Sequence, residues 1–129
     1  MYESTLQVGH DSPYANITET GDIQIEVWCN QYCDLIHLIG TDLSTSIETI
    51  EAVVGVEDIV FKNDEAVLIT NSCLLEFQDN LLEKYLKQYN CLSLPPLTYR
   101  DGTLFARVIA LSEQQLTKVY HDLNDEHPV

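Results

Sequence analysis

The residues in this chain whose types best suit chemistry are its four cysteines, Cys29, Cys33, Cys73 and Cys91, together with His37. Thiolate sulfur and imidazole nitrogen bind transition metals, and thiols also exchange with disulfides. These five side chains are therefore the candidates for sensing a ligand or a redox state. The sequence singles out no catalytic residue, and it predicts neither a cofactor nor a metal centre.

The spacing of Cys29, Cys33 and His37 would form a metal triad only on a helix, where all three side chains share one face. The surrounding pattern predicts strands instead, which would separate Cys33 from His37 by about 13 Å. Zinc needs its ligand atoms within about 2.0–2.3 Å of the metal, so we do not expect this triad to bind one. His37 lies in an apolar strand, and we expect it to be a hydrogen-bonded core residue rather than a ligand or a pH sensor.

The pair Cys29 and Cys33 has a different geometry, because a short connection would place the two thiols opposite each other at the end of a hairpin. There they could oxidise to a disulfide or supply two metal ligands. The alternative is that both are small apolar side chains that fill the core, as free cysteines often do. A structural disulfide framework is not expected in a cytosolic chain.

Cys73 is predicted to begin a long helix over residues 72–89, where the helix dipole favours a thiolate and hence a redox-responsive thiol. Cys91 follows the other end of the same helix. A continuous helix of that length would hold the two sulfurs about 27 Å apart, so we do not expect a disulfide between Cys73 and Cys91.

Catalytic motifs are missing from the sequence, which has no phosphate loop, no G-x-S-x-G elbow and no H-E-x-x-H zinc motif. Arg100 and Arg107 are the two arginines that could hold an anion, in a chain of net charge −15. The carboxylates are spread along the whole chain, so no catalytic pair stands out. We therefore predict a protein that is not an enzyme. The alternative is a small cytosolic α+β enzyme or a thiol-based metal-binding protein.

Hydrophobic periodicity and turn signals predict the elements that position these residues. The predicted strands cover residues 4–8, 23–30, 33–39, 56–61, 65–70, 92–99 and 103–110. The predicted helices cover residues 12–17, 45–54, 72–89 and 112–123. Asn63-Asp64 and Asp101-Gly102 are typical two-residue hairpin turns, and Pro95-Pro96 restricts its strand to a sheet edge or a bulge.

Two capping boxes mark predicted helix starts, Thr45 with Glu48 and Ser112 with Gln115. Before the last helix, Leu111 is expected to form a hydrophobic staple with Leu116. The buried face of that helix is expected to consist of Leu116, Val119, Tyr120 and Leu123.

The order strand, helix, strand, strand, helix, strand occurs nearly twice, over residues 1–64 and 65–129, and the second time it lacks the closing strand. This is the βαββαβ order of a ferredoxin-like module. The predicted fold class is α+β, with antiparallel sheets, helices on one face and tandem ferredoxin-like halves. A single irregular α+β sheet is the alternative. The missing strand would leave an open sheet edge, which favours self-association as a homodimer.

The chain is strongly acidic, with 21 Asp plus Glu against 6 Lys plus Arg in 129 residues. This charge opposes binding to nucleic acid or to anionic membranes, and dispersed carboxylates favour solubility in concentrated salt. We interpret the chain as halophilic, with an acidic mesophilic protein as the alternative. It has neither an apolar run of about 20 residues nor a secretory signal, so we expect no membrane contact and a cytoplasmic location.

Several stretches carry a resemblance to a known family: Trp28-Cys29-Asn30 with Cys33-Asp34-Leu35, Thr70-Asn71-Ser72-Cys73, Tyr89-Asn90-Cys91-Leu92-Ser93-Leu94-Pro95-Pro96-Leu97, Tyr99-Arg100-Asp101-Gly102 and Val108-Ile109-Ala110-Leu111-Ser112. Over residues 23–129 the chain resembles the N-terminal domain of haloarchaeal bacterio-opsin-activator-type regulators. The resemblance implies a sensing or regulatory domain that responds to a small molecule or a redox signal. In that family a further strand and a helix-turn-helix follow, so we expect DNA contact only through a segment beyond residue 129.

Overall fold

The computed structural model describes residues 1–9, 12–30, 32–73 and 81–126. All seven predicted strands are present, and their ends differ from the predicted ends by at most two residues. In chain order the elements are β1 (Tyr2–Gly9), α1 (Pro13–Ile17), β2 (Ile23–Cys29), β3 (Asp34–Gly40), α2 (Ser44–Val54), β4 (Val56–Lys62), β5 (Glu65–Thr70), α3 (Leu81–Gln88), β6 (Leu92–Arg100), β7 (Thr103–Ala110) and α4 (Glu113–Glu126).

The strands form one antiparallel sheet in the order β1-β7-β6-β2-β3-β5-β4. The hairpins β2–β3 and β6–β7 meet at the centre, where β2 pairs with β6. The strand on the outer side of each hairpin comes from the other half of the chain. The early strand β1 pairs with β7 of the second hairpin, and the later strand β5 pairs with β3 of the first. The predicted α+β class with antiparallel strands is confirmed. The division at residue 64 stays a prediction, and strands from both sides of it alternate within this single sheet.

One face of the sheet carries the helices and the core. In β3, Asp34, Ile36 and Leu38 are buried, whereas the alternating Leu35 and His37 are partly exposed. We call the face that bears Leu35 and His37 the open face. On the other face, the strands and helices share a single core that includes Ile25, Ile36, Ile50, Leu68 and Val119. The prediction that helices cover one face is therefore confirmed.

Both predicted two-residue turns are present. Asp101 and Gly102 have φ angles of 51° and 76°, and Asn63 has a φ angle of 54°. These left-handed conformations match the twist of an antiparallel hairpin, which is why Asn, Asp and Gly favour such turns.

The two prolines of β6 lie at a bulge rather than at a sheet edge. The pairing of β6 with β7 shifts register between Leu94 and Thr98, around Pro95 and Pro96. Because proline has no N–H to donate, the irregular stretch lets an interior strand accommodate both residues.

The predicted cap of α2 is wrong. The helix begins at Ser44 with Leu43 at the cap position, and no side chain caps its first turn. Thr45, the predicted cap, therefore lies inside the helix, and it forms no capping box with Glu48. Leu43 is buried in the core. Its packing, rather than a local hydrogen bond from a side chain, therefore sets where the helix begins.

The capping box of α4 is confirmed, but its staple is not. The Ser112 N–H donates to Gln115 Oε1 at 2.9 Å, and the Gln115 N–H donates to Ser112 Oγ at 3.4 Å. Leu111 is 82 % exposed and Tyr120 is 54 % exposed, so neither belongs to the buried face. Leu116, Val119 and Leu123 form that face as predicted.

No helix within the described ranges has the length and apolar character needed to cross a membrane.

The predicted helix over residues 72–89 is too long. Its described helical part is α3, and Ser72 and Cys73 precede it in non-helical backbone. The Thr70 hydroxyl donates to the Ser72 carbonyl at 2.7 Å, a local bond that competes with helix formation. The part of that prediction that covers residues 74–80 lies outside the described residues.

Candidate functional site: two cysteines and a buried carboxylate

Three potential ligand groups meet at the end of the sheet where β2 and β5 stop and β3 begins. Cys29 ends β2 and pairs directly with Asp34, the first residue of β3. Cys73 follows the last residue of β5 by three positions. The two sulfurs and one carboxylate oxygen of Asp34 all lie within 4.8 Å of one another. We call Cys29, Asp34 and Cys73 the Cys–Asp cluster.

Cys29 and Cys73 form a disulfide across 44 residues of sequence, with their Cα atoms 6.7 Å apart. The expectation of no structural disulfide is therefore wrong, and so is the alternative in which Cys29 would oxidise with Cys33. Cys33 is a free thiol that is partly exposed. It follows Cys29 closely in the chain but takes no part in the disulfide.

The hairpin connection after Cys29 explains why Cys33 is not opposite it. Asn30 Oδ1 accepts hydrogen bonds from the N–H groups of Tyr32 and Cys33, both at 2.9 Å. This side-chain turn makes the connection one residue longer than predicted, so Asp34 takes the position across from Cys29. The two cysteines predicted to face each other at the hairpin end are thereby replaced by a disulfide-bonded cysteine that faces a carboxylate.

Thr70 holds the segment that carries Cys73 against the start of β3. Its Oγ1 accepts from the Asp34 N–H at 2.8 Å while the hydroxyl donates to Ser72. Cys73 is 1 % exposed, and its sulfur lies 3.5 Å from the Cys33 carbonyl oxygen. Cys73 itself lies in non-helical backbone and is bonded to Cys29, so its predicted place in the first turn of a helix, as a free thiol, is wrong.

Asp34 is buried to an extent that is rare for a carboxylate, with 1 % of its surface exposed. Its Oδ2 accepts a hydrogen bond from the Tyr14 hydroxyl at 2.8 Å. The Tyr14 ring meets the Tyr99 ring edge to face, with centroids 5.7 Å apart. Burial, and then the charge of Asp34, raises the pKa of both phenols. Tyr14 therefore stays protonated and remains a donor to Asp34.

Solvent reaches the Cys–Asp cluster through Cys29. This residue is exposed, whereas Asp34 and Cys73 are buried. Beside it opens a groove of about 340 Å³, within the size range of small-ligand pockets. The groove is lined by Trp28, Cys29, Asn30, Cys33, Leu35 and Ile69. A small thiol, a small disulfide or an ion can therefore approach the Cys29 sulfur directly.

The other two predicted site residues lie elsewhere. His37 is on the open face, where its two ring nitrogens lie 2.9 Å from Glu26 Oε1 and 3.2 Å from Glu65 Oε1. It is hydrogen-bonded as expected, but it points away from the core. Cys91 is buried beside β6, and its thiol donates to the Tyr89 carbonyl at 3.7 Å. Burial raises the pKa of Cys91, which disfavours the reactive thiolate.

Asp34 and Tyr14 are candidate functional residues that the sequence analysis missed. The sequence does mark Asp34 as unusual, because it interrupts a segment, 33–39, that is otherwise apolar apart from His37. Nothing in the sequence marks Tyr14 as a functional residue. It lies 20 residues before Asp34, and the contact arises when α1 packs over the sheet.

A second groove, of about 790 Å³, lies between α1 and α2. Its polar lining consists of Asn16, Thr20, Asp22, Thr41, Asp42, Thr45, Ser46 and Thr49. These groups suit a neutral or cationic polar molecule, since the lining includes no cation to bind an anion. The groove has no thiol and no buried carboxylate, and so the Cys–Asp cluster is the stronger candidate.

The fold and the cluster together define an antiparallel α+β domain with a disulfide beside a buried carboxylate at one end of its sheet. The chain belongs to the family described as HVO_A0563, N-terminal, a haloarchaeal family whose model matches residues 3–129. This membership agrees with the halophilic interpretation of the acidic composition. The family description mentions an N-terminal domain and makes no mention of a helix-turn-helix regulator. No curated protein and no solved structure matches the chain.

Proposed function

We propose that this chain is a non-catalytic regulatory domain of a haloarchaeal transcription regulator, and that oxidation of Cys29 with Cys73 is its signal. The disulfide itself carries the proposal, because it joins distant parts of the chain while one of its two cysteines remains exposed. Exposed disulfides exchange more readily with cellular thiols than shielded structural ones do. The family description as an N-terminal domain and the resemblance to helix-turn-helix regulators support the regulatory role.

The oxidation requires a small disulfide as the electron acceptor. The Cys29 thiolate attacks one sulfur of that disulfide, forms a mixed disulfide and releases one thiolate. The Cys73 thiolate then attacks the Cys29 sulfur, which closes the protein disulfide and releases the second thiolate. The two protein thiols thereby lose two electrons and two protons, and the small disulfide becomes two thiols.

Cys73 is well placed to pass a signal toward the C-terminal end of the domain. It precedes α3 in the chain, and α3 packs against α4. The hydroxyl of Tyr89, which follows α3, donates a hydrogen bond to Asp122 in α4, and the Tyr89 carbonyl accepts one from Gln115 Nε2 at 2.8 Å. In this proposal, a change in how Cys73 is anchored alters how α3 packs against α4. In the proposed regulator a DNA-binding segment follows α4, and the acidic domain itself does not contact DNA.

Thiol titration tests whether the disulfide is regulatory. In glutathione buffers we expect the Cys29–Cys73 pair to be half-reduced between about −180 and −300 mV, the range spanned by cellular thiol pools. Alkylation of free thiols followed by intact mass measurement gives the oxidised fraction at each potential. In the native host, replacing either cysteine by serine should remove the transcript response to an added oxidising disulfide.

Cys33→Ser is the matched control, since it removes the neighbouring thiol and leaves the pair intact. It should keep both the midpoint and the transcript response. A pair that stays oxidised below about −320 mV would be structural, and the proposal would fail. It would also fail if strains with Cys29→Ser or Cys73→Ser responded to oxidant like the parent.

We also propose that the domain self-associates through β1. In the described part of the chain, β1 pairs with β7 on one side and with no strand on the other. An open edge exposes backbone donors and acceptors that a strand from a second copy can satisfy. Light scattering at high protein concentration should therefore give about twice the monomer mass, in low and in molar salt. A strict monomer in both conditions would refute this pairing.

A further inference from the structure

We infer that the reduced Cys–Asp cluster is a zinc site, with the thiolates of Cys29 and Cys73 and the carboxylate of Asp34 as its three protein ligands. The site uses the same sulfurs as the proposed redox pair. It rests, however, on the geometry of the cluster alone, and it holds or fails independently of any role in transcription.

The three donor atoms are held close enough together to surround a zinc ion once the two sulfurs separate. In tetrahedral coordination with zinc–sulfur bonds of about 2.3 Å and zinc–oxygen bonds of about 2.1 Å, neighbouring donors are roughly 3.6–3.8 Å apart. In the structure the donor atoms lie within 4.8 Å of one another, and the two sulfurs, being bonded, lie closer together than zinc requires. Reduction of the disulfide frees both cysteine side chains to rotate, and the separated sulfurs then leave room for an ion beside the Asp34 carboxylate.

The elements fix these donors before any ion arrives. Cys29 and Asp34 face each other in the β2–β3 register, and Thr70 ties the Cys73 segment to the Asp34 backbone. Tyr14 donates to Asp34 Oδ2, the kind of outer hydrogen bond that orients a metal-bound carboxylate. Such an arrangement reduces the entropy lost when the ion binds.

The donor types select the ion. Two thiolates favour zinc over magnesium or calcium, which prefer oxygen ligands. Binding converts two thiols to thiolates and releases two protons, so the ion stabilises anions that the protein interior disfavours. Three protein ligands leave a fourth position on the exposed Cys29 side, beside the groove lined by Trp28 and Leu35. A water molecule or a small ligand can occupy that position.

Cobalt(II) titration of the reduced full chain, followed by displacement with zinc, tests the site. We expect one ion per chain, with thiolate-to-cobalt charge-transfer absorption and the visible bands of tetrahedral coordination. The oxidised protein should bind no ion there. Cys29→Ser and Cys73→Ser should lose most of the charge-transfer absorption, whereas Cys33→Ser and Cys91→Ser should match the wild type.

Asp34→Asn separates the zinc site from the redox pair. We expect this variant to bind zinc at least about 100-fold more weakly, because removal of a ligand costs more than removal of an outer contact. It should still form the Cys29–Cys73 disulfide, which needs no carboxylate. Should Asp34→Asn fail to fold, Cys29→Ser remains decisive, since the side chain it changes is exposed.

Three results would overturn the assignment. The reduced wild type could bind no stoichiometric ion, Asp34→Asn could bind zinc as tightly as wild type, or Cys33→Ser could weaken binding as much as Cys29→Ser does. The last two results would show a different donor set. If zinc does not bind while the disulfide titrates in the cellular range, the redox proposal stands without the metal site.

Discussion

Reduction of the Cys29–Cys73 disulfide should lower the free energy of unfolding by about 4 kcal/mol. The bridge closes a loop with a sequence separation of 44, and the chain-entropy model gives about this value for a loop of that size. Denaturant unfolding of the oxidised and the reduced protein at one salt concentration measures the difference. The fluorescence of Trp28, the single tryptophan and the neighbour of Cys29, provides the signal.

Two serine variants make this measurement specific. Cys29→Ser should have the same stability with and without reductant, because it cannot form the bridge. Cys33→Ser should change stability by no more than about 0.5 kcal/mol in the oxidised protein and keep the full response to reductant. If wild-type stability were indifferent to reductant, the bridge between β2 and the segment after β5 would not exist in solution.

The strands could be predicted because the pattern that identifies each one lies within its own residues. In β5 the buried residues Ala66, Leu68 and Thr70 alternate with exposed ones, which is the period of a strand with one covered face. The Asp101-Gly102 turn is likewise specified by two adjacent residues that tolerate left-handed backbone. Such signals need no knowledge of what packs against the strand.

The candidate site could not be predicted because it depends on which strands are neighbours. Cys73 reaches Cys29 because β5 pairs with β3, which in turn pairs with β2. Periodicity assigns each residue to a face of the sheet, but it does not give the order of the strands. The repeated βαββα order was visible in the sequence, whereas the exchange of β1 and β5 between the two hairpins was not.

Smaller errors near the site have a common physical origin in local hydrogen bonds from polar side chains. Asn30 lengthens the β2–β3 connection by one residue, and Thr70 keeps Ser72 and Cys73 out of a helix. Both residues act on neighbouring backbone groups in competition with regular structure. Hydrophobic patterns give no information about such bonds. A shift of one residue in the pairing of β2 with β3 is enough to place Asp34 instead of Cys33 opposite Cys29.

The excess of carboxylates governs how the domain responds to salt. Six Lys plus Arg cannot compensate 21 Asp plus Glu. The ion pair between Arg107 Nη2 and Glu3 Oε1, at 2.7 Å, has both side chains about half exposed and contributes at most about 1 kcal/mol. Like charges about 20 Å apart in unscreened water repel by about 0.2 kcal/mol, and the uncompensated charges form roughly a hundred such pairs. The folded state therefore carries a large repulsion that salt can remove.

The unfolding midpoint should accordingly rise by about 10 °C or more between dilute buffer and multimolar salt. Shortening of the Debye length from about 30 Å at 0.01 M to about 3 Å at 1 M screens the repulsion. A gain of only about 3 kcal/mol is enough for a shift of this size in a domain of this length. Sulfate should exceed potassium chloride at equal ionic strength, because it also strengthens the burial of apolar surface.

Thermal unfolding followed by circular dichroism over a salt series measures this shift in oxidised protein, so that the disulfide stays constant. Glu48 and Glu57 are exposed, and the double variant Glu48→Gln, Glu57→Gln removes two charges without emptying the core. It should melt higher than wild type in dilute buffer and converge with wild type in molar salt, because screening removes the repulsion that the variant lacks. A wild-type midpoint that stays flat or falls with salt would contradict the halophilic interpretation of the composition.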